Sequence, residues 1–189
     1  MSKYSIISDV GNTLVKLLRT NLVPDIIRNT DAIGLCSPDE HGDLQVGIYL
    51  YDVRESEEVA GSRTGVSTEK TQRMPPQYIN LYYAITAYSM SDLKFRAAEE
   101  QRILGRVIQV LGDNITMAGD GVGESAYPIR IEMQRMDNDE KMKLWSMSNT
   151  PYKLSLFYKI YPVEIESTRI KSVSRVLDID FTVEEKPNE

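Results

Sequence analysis

The sequence predicts an α+β domain, a mixed and mostly antiparallel sheet with helices packed on one of its faces. Three observations lead there. Two long segments repeat apolar residues at helical spacing, while several others alternate at strand spacing. Most of the alternating segments show one apolar and one polar face. The helices are too few to cover both faces of a doubly wound parallel sheet. The expected order along the chain is α-β-β-β-α-β-α-β-β, with no internal repeat.

The first helix carries Ile6, Ile7, Val10, Leu14, Leu17 and Leu18 on one stripe, and Asn21 and Pro24 end it. Ala32 to Cys36 is a short apolar strand. Leu44, Val46, Ile48 and Leu50 then alternate with Gln45, Gly47, Tyr49 and Tyr51. The strongest strand runs from Tyr78 to Tyr88, with Ile79, Leu81, Tyr83, Ile85 and Ala87 on its apolar face. Between these strands, Arg54 to Gln77 has the composition of a long mobile loop. So long a loop inside a domain is often functional. Ser91-Asp92 offers the N-cap of a helix of about twenty residues, whose inner face holds Ala97, Leu104, Val107, Ile108 and Leu111 and which Gly112 stops. Asp113 to Tyr127 reads as a second loop, Ile129 to Gln134 as a strand, and Asp137 to Met147 as a short helix with Trp145 turned inward. Leu154 to Ile160 and Val173 to Val183 are the last strands, with Asp178 and Asp180 on the outer face of the second.

Composition excludes several function classes. Of 189 residues, 41% are hydrophobic and 26% charged, as in globular domains. A net charge of -6 without a basic stripe argues against general nucleic-acid binding and against docking on anionic lipid. From Asp178 onward there are five acids and one base, so this short stretch holds -4 of the total. It reads either as a solubilising tail or as an arm that meets a basic partner surface. Cys36 is the only cysteine and His41 the only histidine, which excludes an intrachain disulfide and a typical zinc site. Cys36 reads as a small hydrophobe at a strand end, and His41 as an exposed turn residue. No signal peptide and no membrane-spanning run is visible.

Two fragments resemble the phosphoryl-transfer loops of haloacid-dehalogenase-type hydrolases: Asp9 in Ile6 to Leu14, and Gly119-Asp120-Gly121. Covalent catalysis by Asp9 would need a buried strand before it and a second acid loop to hold a metal. The apolar period around Asp9 is helical instead, which leaves Asp9, Asn12 and Thr13 on the polar side of a helix. The Gly119 to Gly123 run follows a helix and precedes a strand, the reverse of the dinucleotide-binding order. The 11 tyrosines cluster on strands, with Tyr49, Tyr51, Tyr78, Tyr82 and Tyr88 expected on the outer face of the sheet. There they serve as cross-strand pairs or as contact residues.

Several runs are together similar to one family. The strand Ile48 to Val53, with Leu50-Tyr51-Asp52 at its centre, resembles a strand of the cap proteins of extracellular, phage-tail-like contractile injection systems. So do Asn80 to Tyr88 leading into a helix with Leu104-Gly105, and Leu144-Trp145-Ser146 followed by Pro151 to Ile165 with Tyr152, Leu156 and Tyr158. The resemblance covers roughly residues 4 to 166.

This resemblance implies a phage tail-terminator-like domain over residues 1–177, followed by an acidic strand end and tail over 178–189. It implies a homohexameric ring that ends the inner tube and sheath and limits tail length, with no active site and no cofactor. An accessory cap paralogue and a phage tail-completion protein are the alternatives, since larger members carry a C-terminal extension. The expected partners are the chain itself and the sheath and tube subunits, with no nucleic acid and no membrane insertion. The expected place of synthesis is the bacterial or archaeal cytoplasm, before incorporation into the particle. Contacts are expected from the two loops and the acidic strand, at Arg54, Arg63, Arg73, Tyr78, Tyr82, Asp120, Asp178, Asp180 and Phe181.

Overall fold

The computed structural model describes residues 4–59, 71–117, 127–147 and 151–172. The expected last strand and acidic tail, and most of both long loops, lie outside the described residues. Helix α1 spans Ile6–Leu22 and buries Ile6, Val10, Leu14, Leu18 and Leu22, the stripe that the helical period marks. Arg19 on α1 donates from Nε and Nη2 to the Ile33 carbonyl at 3.0 and 2.7 Å. That forked, charge-assisted contact ties the helix to strand β1, Ile33–Leu35. Strand β2, Val46–Glu55, and strand β4, Gln77–Ala87, are both long, while β3, Thr71–Arg73, is short. Helix α2 spans Leu93–Asp113 and α3 spans Asn138–Met147. The remaining strands are β5, Thr116–Met117; β6, Ile129–Met133; β7, Ser155–Ile165; and β8, Ile170–Ser172.

The main sheet has the order β1-β2-β4-β7-β6-β5. β1 runs parallel to β2 and every other pair is antiparallel. β3 and β8 form a separate two-stranded ribbon. One face of the sheet meets α1 and α2 in a single core that includes Leu14, Leu18, Ile33, Ile48, Leu81, Tyr83, Ile85, Leu104, Val107, Leu111 and Ile160. The architecture is therefore α+β with a mixed, mostly antiparallel sheet, and its two long helices share one face.

Some details differ from expectation, each for a physical reason. Gly112 does not stop α2. The helix runs to Asp113, and Asn114 closes it by donating from Nδ2 to the Val110 carbonyl at 2.8 Å. Asp92 holds the N-cap position, but its carboxylate caps no amide. Glu99 ties down that entry instead, accepting from the Ser89 and Ser91 hydroxyls. The stretch expected as one loop from Arg54 to Gln77 contains the end of β2 and strand β3, and β5 interrupts the second expected loop. The far face of β4 is not a solvated face: Asn80, Ala84 and Thr86 are buried, as are Tyr78 and Tyr88. A central strand has neighbours on both sides, and here the buried Phe157 of β7, met edge-on by Tyr51, adds apolar cover.

The edge of β2 is protected. β1 covers only Val46 to Ile48, and the Ile48 carbonyl accepts from the Cys36 amide as the last bond between them. Beyond it the β2–β4 register shifts between Leu50 and Asp52, a bulge at Tyr51. The Asp52 carboxylate then accepts from the Val53 amide at 2.8 Å and from Arg54 Nε at 2.6 Å. A bulge, a self-satisfied amide and an exposed charge all discourage a further strand from pairing there.

Candidate functional site

The expected contact residues fall into three groups. Arg54 and Tyr82 are brought together on the face opposite the long helices. The Arg54 guanidinium lies over the Tyr82 ring, 4.9 Å from its centroid. Tyr82 faces Tyr51 at 6.2 Å, and Tyr51 meets Phe157 edge-on at 5.8 Å. Burial pushes the Tyr51 hydroxyl up to about 12, so it stays protonated and can donate. Tyr78 stands apart, buried at the start of β4, edge-on to Tyr127 and donating to Glu164 at 3.4 Å. Arg73 lies in β3, with its side chain outside the described part. Arg63, Asp120, Asp178, Asp180 and Phe181 lie outside the described residues.

The signature positions have structural work. Leu50, Leu156 and Tyr158 pack in or against the core under α1 and α2, and Leu104 is buried in it. Gly105 faces open space on α2, so no close approach explains it. Trp145 is buried and meets Tyr152 edge-on at 6.3 Å. Tyr51 is the bulge residue and Asp52 the edge cap described above.

Sequence reasoning missed a charged network beside the aromatic patch. Glu58 accepts from Lys159 Nζ, from Asn80 Nδ2 at 3.1 Å and from the Ser56 hydroxyl at 2.9 Å. Lys159 also sits 4.1 Å from the Tyr161 ring centroid. Glu58 and Lys159 are 101 positions apart, so no local spacing announces the pair. Lys159 above all, then Asn80 and Ser56, hold the Glu58 carboxyl down at about 2 against its partial burial. A carboxyl lowered on folding stabilises the folded form above its unfolded value near 4.5, and that contribution fades as pH falls toward 2. Glu58 is 41% exposed, so screening limits the effect to about 1 kcal/mol. Glu58→Gln is expected to lower the melting temperature at pH 7 but to leave it nearly unchanged at pH 2.5, as read by circular dichroism.

Two cavities flank the sheet. One, of about 540 Å³, lies where the main sheet meets the β3–β8 ribbon and is lined by Glu55, Ser56, Met74, Pro75, Tyr78 and Arg169 among others. It sits at the foot of the first expected contact loop. The other, of about 610 Å³, lies between the start of α1 and the β2 edge, lined by Tyr4, Ile7, Leu35, Leu50 and Tyr83 among others. Asp9 lies in the first turn of α1, where its carboxylate accepts from Ser5 Oγ at 2.8 Å and its carbonyl accepts from Thr13 Oγ1 at 2.8 Å. This is helix-internal bonding, as the apolar period predicts; the second hydrolase-like fragment lies outside the described residues. Among the described residues, no three His, Cys, Asp or Glu side chains are placed to hold a metal ion. No helix among them is long and apolar enough to cross a membrane.

Residues 9–178 match the model of the Pvc16 N-terminal domain. Among solved structures, the chain is similar to the PVC sheath/tube terminator of an extracellular contractile injection system in its extended state, with a TM-score of 0.67 at 19% identity. It is also similar to the tube-terminating cap of the anti-feeding prophage, with a TM-score of 0.61 at 21% identity. These likenesses cover 96% and 93% of this chain but 64% and 61% of the other two, so the chain spans less than two thirds of either. No curated protein matches the chain in sequence.

Proposed function

The chain belongs to the Pvc16 N-terminal domain family, and from that premise we propose that it is a structural cap that ends the inner tube and sheath of a contractile injection particle. The observation that carries this reading is that nearly the whole chain takes the fold of two proteins that terminate such tubes. The mechanism is geometric and requires no reaction. A tail is a stack of subunits joined by open, heterologous contacts, and it grows as long as its upper face repeats its lower one. A terminator presents a lower face that fits the last layer and an upper face that does not repeat it. A homohexameric ring supplies six copies of that mismatch at once.

In this reading the partners are further copies of the chain together with sheath and tube subunits. The subunit is made in the cytoplasm and carried into the particle. Arg54 and Tyr82 are contact candidates on the described surface, since an exposed guanidinium over an aromatic ring is a frequent element of contact surfaces. Arg63, Arg73, Asp120, Asp178, Asp180 and Phe181 are the others. Particles assembled without the chain are expected to show tubes of widely scattered length with bare ends under the electron microscope. Capped tubes of unchanged length in its absence overturn the proposal.

A further inference from the structure

The N-terminal end of α2 projects from the body without cover. The buried stripe of this helix, Ile103, Leu104, Val107, Val110 and Leu111, continues backwards in phase to Ala97 and Leu93. Yet residues 92–98 are exposed on every side of the helix. Leu93 is 81% exposed, Phe95 57%, and Met90 just before the helix 67%. Large apolar groups gathered at one tip mark a contact site.

The same helix is basic on its outer side. Lys94, Arg96 and Arg102 are exposed and Arg106 is half-buried. The ion pairs among the described residues are Arg54–Asp52, Lys153–Glu100 and Lys159–Glu58, so none of these four cations closes a direct ion pair there, although Arg102 interacts electrostatically with Glu99. Glu99 is taken up by Ser89 and Ser91, and Glu100 by Lys153 and the Ser89 amide. Asp92 at the tip is itself exposed, so residues 92–106 carry four cations against three carboxylates, and the tip presents apolar side chains beside a small excess of positive charge led by Lys94 and Arg96. The chain itself holds a segment of complementary character: Asp178, Ile179, Asp180, Phe181, Val183, Glu184 and Glu185 alternate acidic and apolar residues.

We propose that the acidic C-terminal segment of one copy, residues 178–185, docks on the α2 tip of the next copy. The topology argues for a neighbour rather than the same chain. α2 begins beyond the Ala87 end of β4, whereas β8 leaves from beyond Ile165, which pairs with Gln77 at the opposite end. The 11 residues of β4 separate those ends by about 33 Å. In the ribbon, Arg73 pairs with Ile170 next to the sheet and Thr71 with Ser172 further along, so the chain leaves Ser172 heading away from it. From Ser172, the six residues to Asp178 reach at most about 21 Å and the nine to Phe181 about 32 Å. The segment's own α2 tip is out of range for Asp178 and, with the outward heading, for Phe181. A segment that leaves one end of a subunit and fits the other end is the arrangement that a closed head-to-tail ring requires. The contact deepens the ring reading and rests on it.

The test mixes two full-length variants, Phe95→Cys and Phe181→Cys, under mild oxidation. Burial pushes the native Cys36 thiol up, which makes it a poor competitor. The mixture is expected to give a covalent dimer at least about tenfold above either variant alone. The double variant is expected to give a ladder of covalent oligomers. Intact rings by light scattering with no cross-link overturn this contact and leave the ring reading standing. A disulfide closed within single chains of the double variant also overturns it. A wild-type chain that stays monomeric, with no cross-link, sinks both.

A charge swap supplies the second arm. Lys94→Glu with Arg96→Glu, and separately Asp178→Lys with Asp180→Lys, are each expected to raise the concentration needed for rings about tenfold. Combining the four is expected to restore most of it, with unchanged melting temperatures showing that α2 still folds. Equal loss with no restoration overturns the pairing. Loss of binding to a labelled DNA duplex, without any effect on rings, overturns it in favour of a nucleic-acid surface.

Discussion

Leu81→Ala is expected to lower the unfolding free energy by about 3–4 kcal/mol. Leu81 is fully buried in β4, the strand with long partners on both sides. Its neighbours in register are Val53 on β2 and Ile160 on β7, and Ile160 is fully buried as well. Truncation removes apolar area and leaves a cavity walled by hydrogen-bonded strands, which relax little. A loss of that size is a large part of the roughly 5–15 kcal/mol that folds a domain. Urea unfolding followed by circular dichroism measures it, and a cost under about 1 kcal/mol would place Leu81 outside the tightly packed core.

Gly47→Ala is expected to cost about 1–3 kcal/mol, and Gly47→Val more. A Cβ on Gly47 would stand 2.6 Å from Cys36 Sγ and 3.0 Å from Tyr88 Cε2. Cys36 can turn about one bond, but the Tyr88 ring is held. It stacks on His41 at 3.9 Å, and the Lys153 ammonium lies 5.1 Å from its centroid. Cys36→Ala removes the closer clash and leaves the milder one. The penalty of Gly47→Ala is therefore expected to shrink by about half or more when measured in a Cys36→Ala background. Thermal unfolding of the four proteins of this cycle decides it. An unchanged penalty would mean that the backbone of β2, not the sulfur, takes up the strain.

The legible parts of the fold were those with a strong local period. The α1 stripe, the alternation of β4 and the Leu104, Val107 and Leu111 face of α2 needed no partner to be recognised, because each is amphipathic over several turns or pleats; the expected Ala97 and Ile108 are exposed instead, and Ile103 and Val110 are buried in their place. The β3–β8 ribbon was not legible: each strand has three residues, and Thr71 meets Ser172 across a hundred positions of chain. The sheet order was equally silent, since β4 pairs with β2 before it and with β7 far beyond it. The burial of Asn80 and Thr86 defeats a reading of polar residues as outer ones, because their partners Glu58 and Ser155 come from elsewhere. The same non-local logic hid most of the candidate surface. Arg54 and Tyr82 were readable singly as charge and aromatic, but their stacking depends on the β2–β4 register shift at Leu50/Asp52.

The short margins of the main sheet bear on how the free chain behaves beside its own copies. Its outermost strands are three and two residues long, and the exposed run of β2 is bent and self-satisfied at Asp52 and Val53. Among the described residues, the main sheet thus offers another chain little backbone to zip onto. An edge built this way leaves the sheet's own backbone satisfied in the free chain, so any contact it makes must come from side chains rather than from strand pairing.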